Sequence, residues 1–215
     1  MEGQIKSKKR VTNFGEVNTS EIEVKRMLDL VNVETERLDS RFLEPACGDG
    51  NFLEEVLIRK LKILVRDFKK NQFEFEKNSI LVVGSIYGIE ILEDNASSAR
   101  ERLYKRFKKQ YESCFKDSLN DELLRSVKFI LKKNIINGDA LTLMQVKSEN
   151  PVTLSEWAIL NSKVKRRDFT LLDLLHHAPF EKNTIFSDLG DEVIIPSPVK
   201  EYELIDFYKI HEYEN

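Results

Sequence analysis

Cysteine, histidine, proline and glycine are all scarce in this chain, and each scarcity excludes something. The two cysteines among 215 residues, Cys47 and Cys114, lie far apart and cannot form the framework of a disulfide-rich secreted domain. The three histidines, His176, His177 and His211, lack the spacing and the cysteine partners of a zinc centre. No metal is expected. With 5 prolines and 8 glycines there is no long low-complexity or disordered section. No apolar run reaches membrane length and no signal peptide is recognisable, so a reduced, cytoplasmic protein with no membrane partner is expected. A basic surplus is missing too. At a formal charge of −3 the chain alone should hold duplex DNA weakly and without sequence preference.

What is present is a 41% hydrophobic composition, enough for one sizeable core, and a single domain over 1–215 is expected. The apolar periodicity alternates. It predicts helix near 21–31, strand at 41–44, and helix over 51–70 with Phe52, Leu53, Val56, Leu57, Leu61, Leu64 and Val65 at helical spacing. A strand at 81–91 follows, then a long helix from about Asp94 that buries Ala99, Leu103, Phe107 and Tyr111. A short helix at 121–131 precedes strands at 134–137 and 153–160. This order predicts an α/β fold with a parallel sheet, in which 153–160 is the fourth strand. Past 168 the pattern weakens: 169–175 reads as helix, 193–195 as strand, and 202–210 as either.

The most informative stretch is Glu44-Pro45-Ala46-Cys47-Gly48-Asp49-Gly50-Asn51-Phe52, where a strand end enters a glycine-punctuated turn and then a long helix. Gly48 and Gly50 permit positive φ and let a ligand approach the backbone, while the helix start offers N–H groups and a positive dipole end. Downstream, Gly88-Ile89-Glu90-Ile91 ends a strand in an acid that can accept both hydroxyl hydrogens of a ribose diol; a plain surface glutamate is the alternative. A third element, Asn137-Gly138-Asp139-Ala140, breaks a strand into a carboxylate, and a capped turn explains it equally well. Upstream, Gly15-Glu16-Val17-Asn18-Thr19-Ser20 leads to an N-cap at Ser20, with Glu23 completing a capping box.

Taken in order, these segments resemble the motifs of S-adenosylmethionine-dependent DNA methyltransferases of the adenine-N6, restriction-modification type. The resemblance covers roughly residues 11–161 and leaves 162–215 unassigned. It implies a Rossmann-like class I methyltransferase fold that binds S-adenosyl-L-methionine. Thr19 would lie in the loop over its methionine end, and Glu44, Pro45, Ala46, Cys47, Gly48, Gly50 and Phe52 would form the loop and helix start beneath it. Glu90 would take the ribose hydroxyls and Asp139 would accept from the adenine amino group, with Ile91 and Ala140 as further cofactor contacts beside them. The family's catalytic Asn/Asp-Pro-Pro-Tyr/Phe motif is missing: after the expected fourth strand stands Asn161-Ser162-Lys163-Val164. By position Asn161 is the catalytic candidate, with an ordinary turn residue as the alternative. No large target-recognition domain is expected, so DNA recognition would need a specificity subunit, a second methyltransferase subunit or a homo-oligomer. A non-catalytic subunit, or a methyltransferase for another substrate, are the rival readings. Of two basic clusters, Lys6, Lys8, Lys9 and Arg10 read as a solvated face. Lys163, Lys165, Arg166 and Arg167 read as candidate phosphate contacts.

Overall fold

The computed structural model describes residues 19–148, 150–176 and 197–214. Helix α1, Glu21–Asp29, starts on the expected capping box: the Ser20 hydroxyl accepts from the Glu23 amide and the Glu23 carboxylate accepts from the Ser20 amide. A single turn, α2 (Asn32–Thr35), leads to strand β1 (Phe42–Glu44) and then to α3 (Asn51–Phe68), whose expected stripe is buried except for the half-buried Phe52 and Val65.

The next element corrects the sequence reading. Residues 81–83 do not begin a strand but finish α4 (Gln72–Gly84), and β2 runs only from Ile86 to Glu90. The Asn71 side chain caps α4 by accepting from the Glu74 amide at 3.2 Å. The buried residues of α4, among them Phe75, Ser79, Ile80, Val82 and Val83, crowd towards the second half of the helix. Its last turns, Ile80 to Gly84, carry no polar residue, so they have no stripe to betray the period and read as a buried strand. Helix α5 (Glu93–Phe115) buries Ala99, Leu103, Phe107 and Tyr111 as expected, and α6 (Asp121–Asn134) leads into β3 (Ile135–Asp139).

Strands β1, β2 and β3 are parallel and lie in that order, with a short antiparallel β4 (Met144–Gln145) on β3. Both crossovers step the same way, so right-handed connections put their helices on one face. That face holds the main core: a Cβ at Gly88 would lie 2.9 Å from Leu53 of α3. The other face, Tyr87, Ile89 and Ile136, is covered by Val152, Leu154 and Leu171 rather than by further helices.

The expected fourth parallel strand also needs correction. Residues 153–160 form β5, which pairs antiparallel along its whole length with β6 (Lys163–Thr170) in a second sheet. Asn161 and Ser162 make the two-residue turn, with Asn161 at φ 59°. A tight hairpin loses little loop entropy, whereas a parallel strand needs a long crossover. Helix α7 (Leu171–His176) starts two residues later than the sequence suggested, because Phe169 and Thr170 end β6. Segment 202–210 divides into β8 (Ile205–Asp206) and part of a 3-10 helix, Phe207–Glu214; β8 and β7 (Lys200–Glu201) both pair with β6. The expected strand at 193–195, the 13–18 segment, His177 and the N-terminal basic cluster lie outside the described residues. Among the described residues no helix is long and apolar enough to cross a membrane, and no group of three or more His, Cys, Asp or Glu could hold a metal ion.

Candidate functional site

The carboxyl ends of the three parallel strands meet at one edge. The pairings Glu44 with Gly88 and Glu90 with Asn137 bring the ends of β1, β2 and β3, and with them Glu44, Glu90 and Asp139, to the same rim. The loop after β1 is fastened to β2 by the Cys47 amide, which donates to the Ile89 carbonyl at 3.0 Å. Pro45 and Ala46 are exposed before it. Gly48 and Gly50 adopt φ of 55° and 88°, the left-handed region that glycine permits. Gly50 has a second constraint, since a Cβ there would sit 2.9 Å from the Ala99 Cβ of α5. It is the N-cap of α3 and gives that 18-residue helix no side-chain cap, so the first-turn amides face the loop without a side-chain acceptor from it.

Cys47 is buried against Gly88, where a Cβ would approach its Sγ to 2.8 Å. Burial, reinforced by the nearby Glu90 and Glu44 carboxylates, pushes the thiol up to about 12. It is a neutral packing group rather than a nucleophile.

Glu90 is the centre of the arrangement. It is 7% exposed; one carboxylate oxygen accepts from the Gly48 amide at 2.9 Å and the other from the Leu92 amide at 2.8 Å. The carboxylate therefore staples the β1 loop to the end of β2. Each oxygen keeps a second lone pair, so both remain able to accept a hydroxyl. Ile91, beside it, is 43% exposed at the rim. Asp139 is not in the same position: its Oδ1 accepts from the Leu141 amide at 2.8 Å, and backbone hydrogen bonding, Leu141 first, holds its carboxyl below the usual carboxylate range. It acts as the turn cap that the sequence allowed, at the same edge as Glu90. Ala140 packs on the second core cluster and Phe52 on the main one. Thr19 is tied to this edge through its carbonyl, which accepts from the Asn51 side chain at 2.8 Å at the start of α3.

Several residues that shape the edge were missed in the sequence. Asn137 donates from Nδ2 to the carbonyls of Glu90 and Ile91, both at 2.9 Å, and so fixes the end of β2, while its Oδ1 is buried with no hydrogen-bond partner among the described residues. Arg102 reaches Asp49 at 2.7 Å and Glu54 at 3.0 Å, and Arg106 reaches Glu54 at 2.7 Å, which anchors the glycine loop to α5. An asparagine inside a strand was the one available signal; the arginines lie on a solvent stripe and gave none.

Asn161 is not brought to this edge. β5 runs antiparallel to β2 and β3: Val152 lies against Gly138 at their carboxyl end, while Trp157 lies against Gly84 and bonds Asn134, both just before those strands begin. Nine residues from Val152 to Asn161 span about 30 Å of extended chain. The hairpin turn thus sits beyond the opposite, amino end of the sheet. The basic cluster on β6 is likewise mostly engaged within the fold. Arg166, 3% exposed, forms a two-pronged pair with Asp168 at 2.9 and 2.8 Å and stacks near Trp157 and Tyr202. Arg167 pairs with Glu156 and Lys165 with Glu201. Of the three only Arg166 is withdrawn from any phosphate by burial, while Lys165 and Arg167 keep partly exposed side chains within their ion pairs.

Comparison of the chain with known protein families, with characterised proteins and with solved structures gives no match.

Proposed function

We propose that the carboxyl edge of the parallel sheet binds S-adenosyl-L-methionine and that the chain is a methyltransferase-type domain of the adenine-N6 DNA kind. The observation that carries this reading is the Glu90 carboxylate at the end of β2, joined to the Gly48 amide in the loop after β1 with a lone pair left on each oxygen. A ribose diol fits that acceptor pair, and the left-handed Gly48 and Gly50 leave the backbone open to a ligand beside them. In this reading Glu90 takes the ribose hydroxyls, the loop 46–51 and the α3 amino end lie beneath the methionine portion, and Asp139 and Ile91 flank the adenine. The bound cofactor would supply a methyl group already activated on sulfur. The protein then has to hold the acceptor nitrogen in line and keep water away. The test is calorimetric titration of the chain with S-adenosyl-L-methionine, with ATP as a control. Saturable binding of the first and weak binding of the second is expected, and no binding by folded protein would end the proposal.

A second reading, a cofactor-binding subunit that partners a complete methyltransferase, is favoured by a separate observation. Asn161 lies at the wrong end of the sheet, and among the described residues β1 is paired on one side only. Radiolabelled methyl transfer to mixed-sequence DNA distinguishes the two: bound cofactor without turnover supports the subunit.

A further inference from the structure

A cavity of about 530 Å3 lies on the far face of the sheet, beneath the open side of β1 and against the hairpin. That volume falls within the roughly 300–1,000 Å3 of small-molecule sites. Its walls are Leu43, Tyr87, Leu154, Phe169 and Leu174. Tyr87 is buried and its hydroxyl donates to the Ser155 carbonyl at 3.0 Å, so it turns a ring and not a polar group towards the space. The rim is charged. Arg41 Nη2 donates to one oxygen of Glu156, and Arg167 Nη2 lies 2.5 Å from the other. One carboxylate thus serves two guanidiniums, which leaves a single positive charge in excess. Arg167 Nε and Glu156 Oε2 are both buried and neither has a hydrogen-bond partner among the described residues, so this pair is a close charge contact and not an aligned hydrogen bond. Glu156 therefore balances charge without meeting the hydrogen-bonding need of Arg167 Nε, and a ligand oxygen at that donor would meet it.

We propose that this cavity binds an amphipathic monocarboxylate, a medium-chain fatty or arylalkanoic acid, with its apolar body against Leu43, Leu154 and Phe169 and its carboxylate on Arg41 and Arg167. The single excess charge selects the class. A monoanion matches it, whereas a phosphate dianion would be repelled by Glu156 in the same rim. Planar guanidiniums also suit the planar carboxylate geometry. The site lies on the opposite face of the sheet from α3 and does not rest on cofactor binding at the carboxyl edge.

Calorimetric titration of the intact chain with octanoate, 1-octanol and acetate tests it. Octanoate should bind with a dissociation constant in the high-micromolar range, 1-octanol about tenfold or more weakly, and acetate without measurable heat. Arg167→Gln, at a half-exposed position, should bring octanoate down to the level of 1-octanol and leave 1-octanol unchanged. Leu43→Trp, which fills the cavity from the exposed rim, should abolish both, with circular dichroism reporting the fold of each variant. No heat from octanoate, equal binding of octanoate and 1-octanol, or full binding by either folded variant would overturn the proposal.

Discussion

Replacing Glu90 with glutamine keeps the size of the side chain and removes one acceptor. In the wild type each carboxylate oxygen takes a backbone amide, from Gly48 at 2.9 Å and from Leu92 at 2.8 Å, in a position 7% exposed. Glutamine can satisfy only one amide; its NH2 group would face the other, donor against donor. The loss is one charge-assisted hydrogen bond and one amide left without its acceptor, together about 2–4 kcal/mol. For a chain of this size each kcal/mol lowers the melting temperature by roughly 2–4 °C, so Glu90→Gln should melt about 5–15 °C below wild type. Urea unfolding followed by circular dichroism measures the same change as a lower midpoint with an unchanged slope. S-adenosyl-L-methionine affinity should fall at least about tenfold at a temperature where the variant is folded, because the amide nitrogen cannot accept a ribose hydroxyl. A stability change under about 0.5 kcal/mol would refute the staple between the β1 loop and β2. Unchanged affinity in the folded variant would refute the ribose role and leave the staple standing.

Other substitutions probe the rest of the framework. Gly50→Ala must place a side chain at φ 88° and 2.9 Å from the Ala99 Cβ, so a loss of about 2–4 kcal/mol is expected in urea titration, and a neutral result would disprove the close approach of α3 to α5. Lys60 is buried, donating to the carbonyls of Arg37, Leu38 and Ser40, and burial lowers its ammonium to about 8. Above that pH the folded state releases a proton that the unfolded chain still holds, so this residue's contribution to stability should rise between about pH 8 and 10. Comparison of wild type with Lys60→Met over that range checks the sign; parallel curves would contradict it. Asn161→Gly suits the left-handed turn and should change stability by less than about 1 kcal/mol. It should leave any methyl transfer unaltered, and loss of turnover in that variant would return Asn161 to the active site.

The sequence by itself determined the local features. Ser20 with Glu23, the two left-handed glycines, and the α5 stripe of Ala99, Leu103, Phe107 and Tyr111 depend on contacts within a few residues or on a regular period, and these survive in any fold. Tertiary structure decided the rest, for reasons of burial and pairing. Leu81 to Val83 read as a strand because the last turns of α4, Ile80 to Gly84, are uninterruptedly apolar, and only packing against neighbouring helices decides their period. Residues 153–160 have the composition of a strand in either sheet; their partner was chosen by the two-residue turn at Asn161, which carried Asn161 away from the edge where Glu90 and Asp139 lie. Arg166 looked like a free charge in the sequence and is instead buried against Asp168, 2 residues along the same strand, where Trp157 and Tyr202 close over it. Charge, apolarity and turn chemistry belong to the residue, but which face a side chain meets is fixed only when distant segments pack.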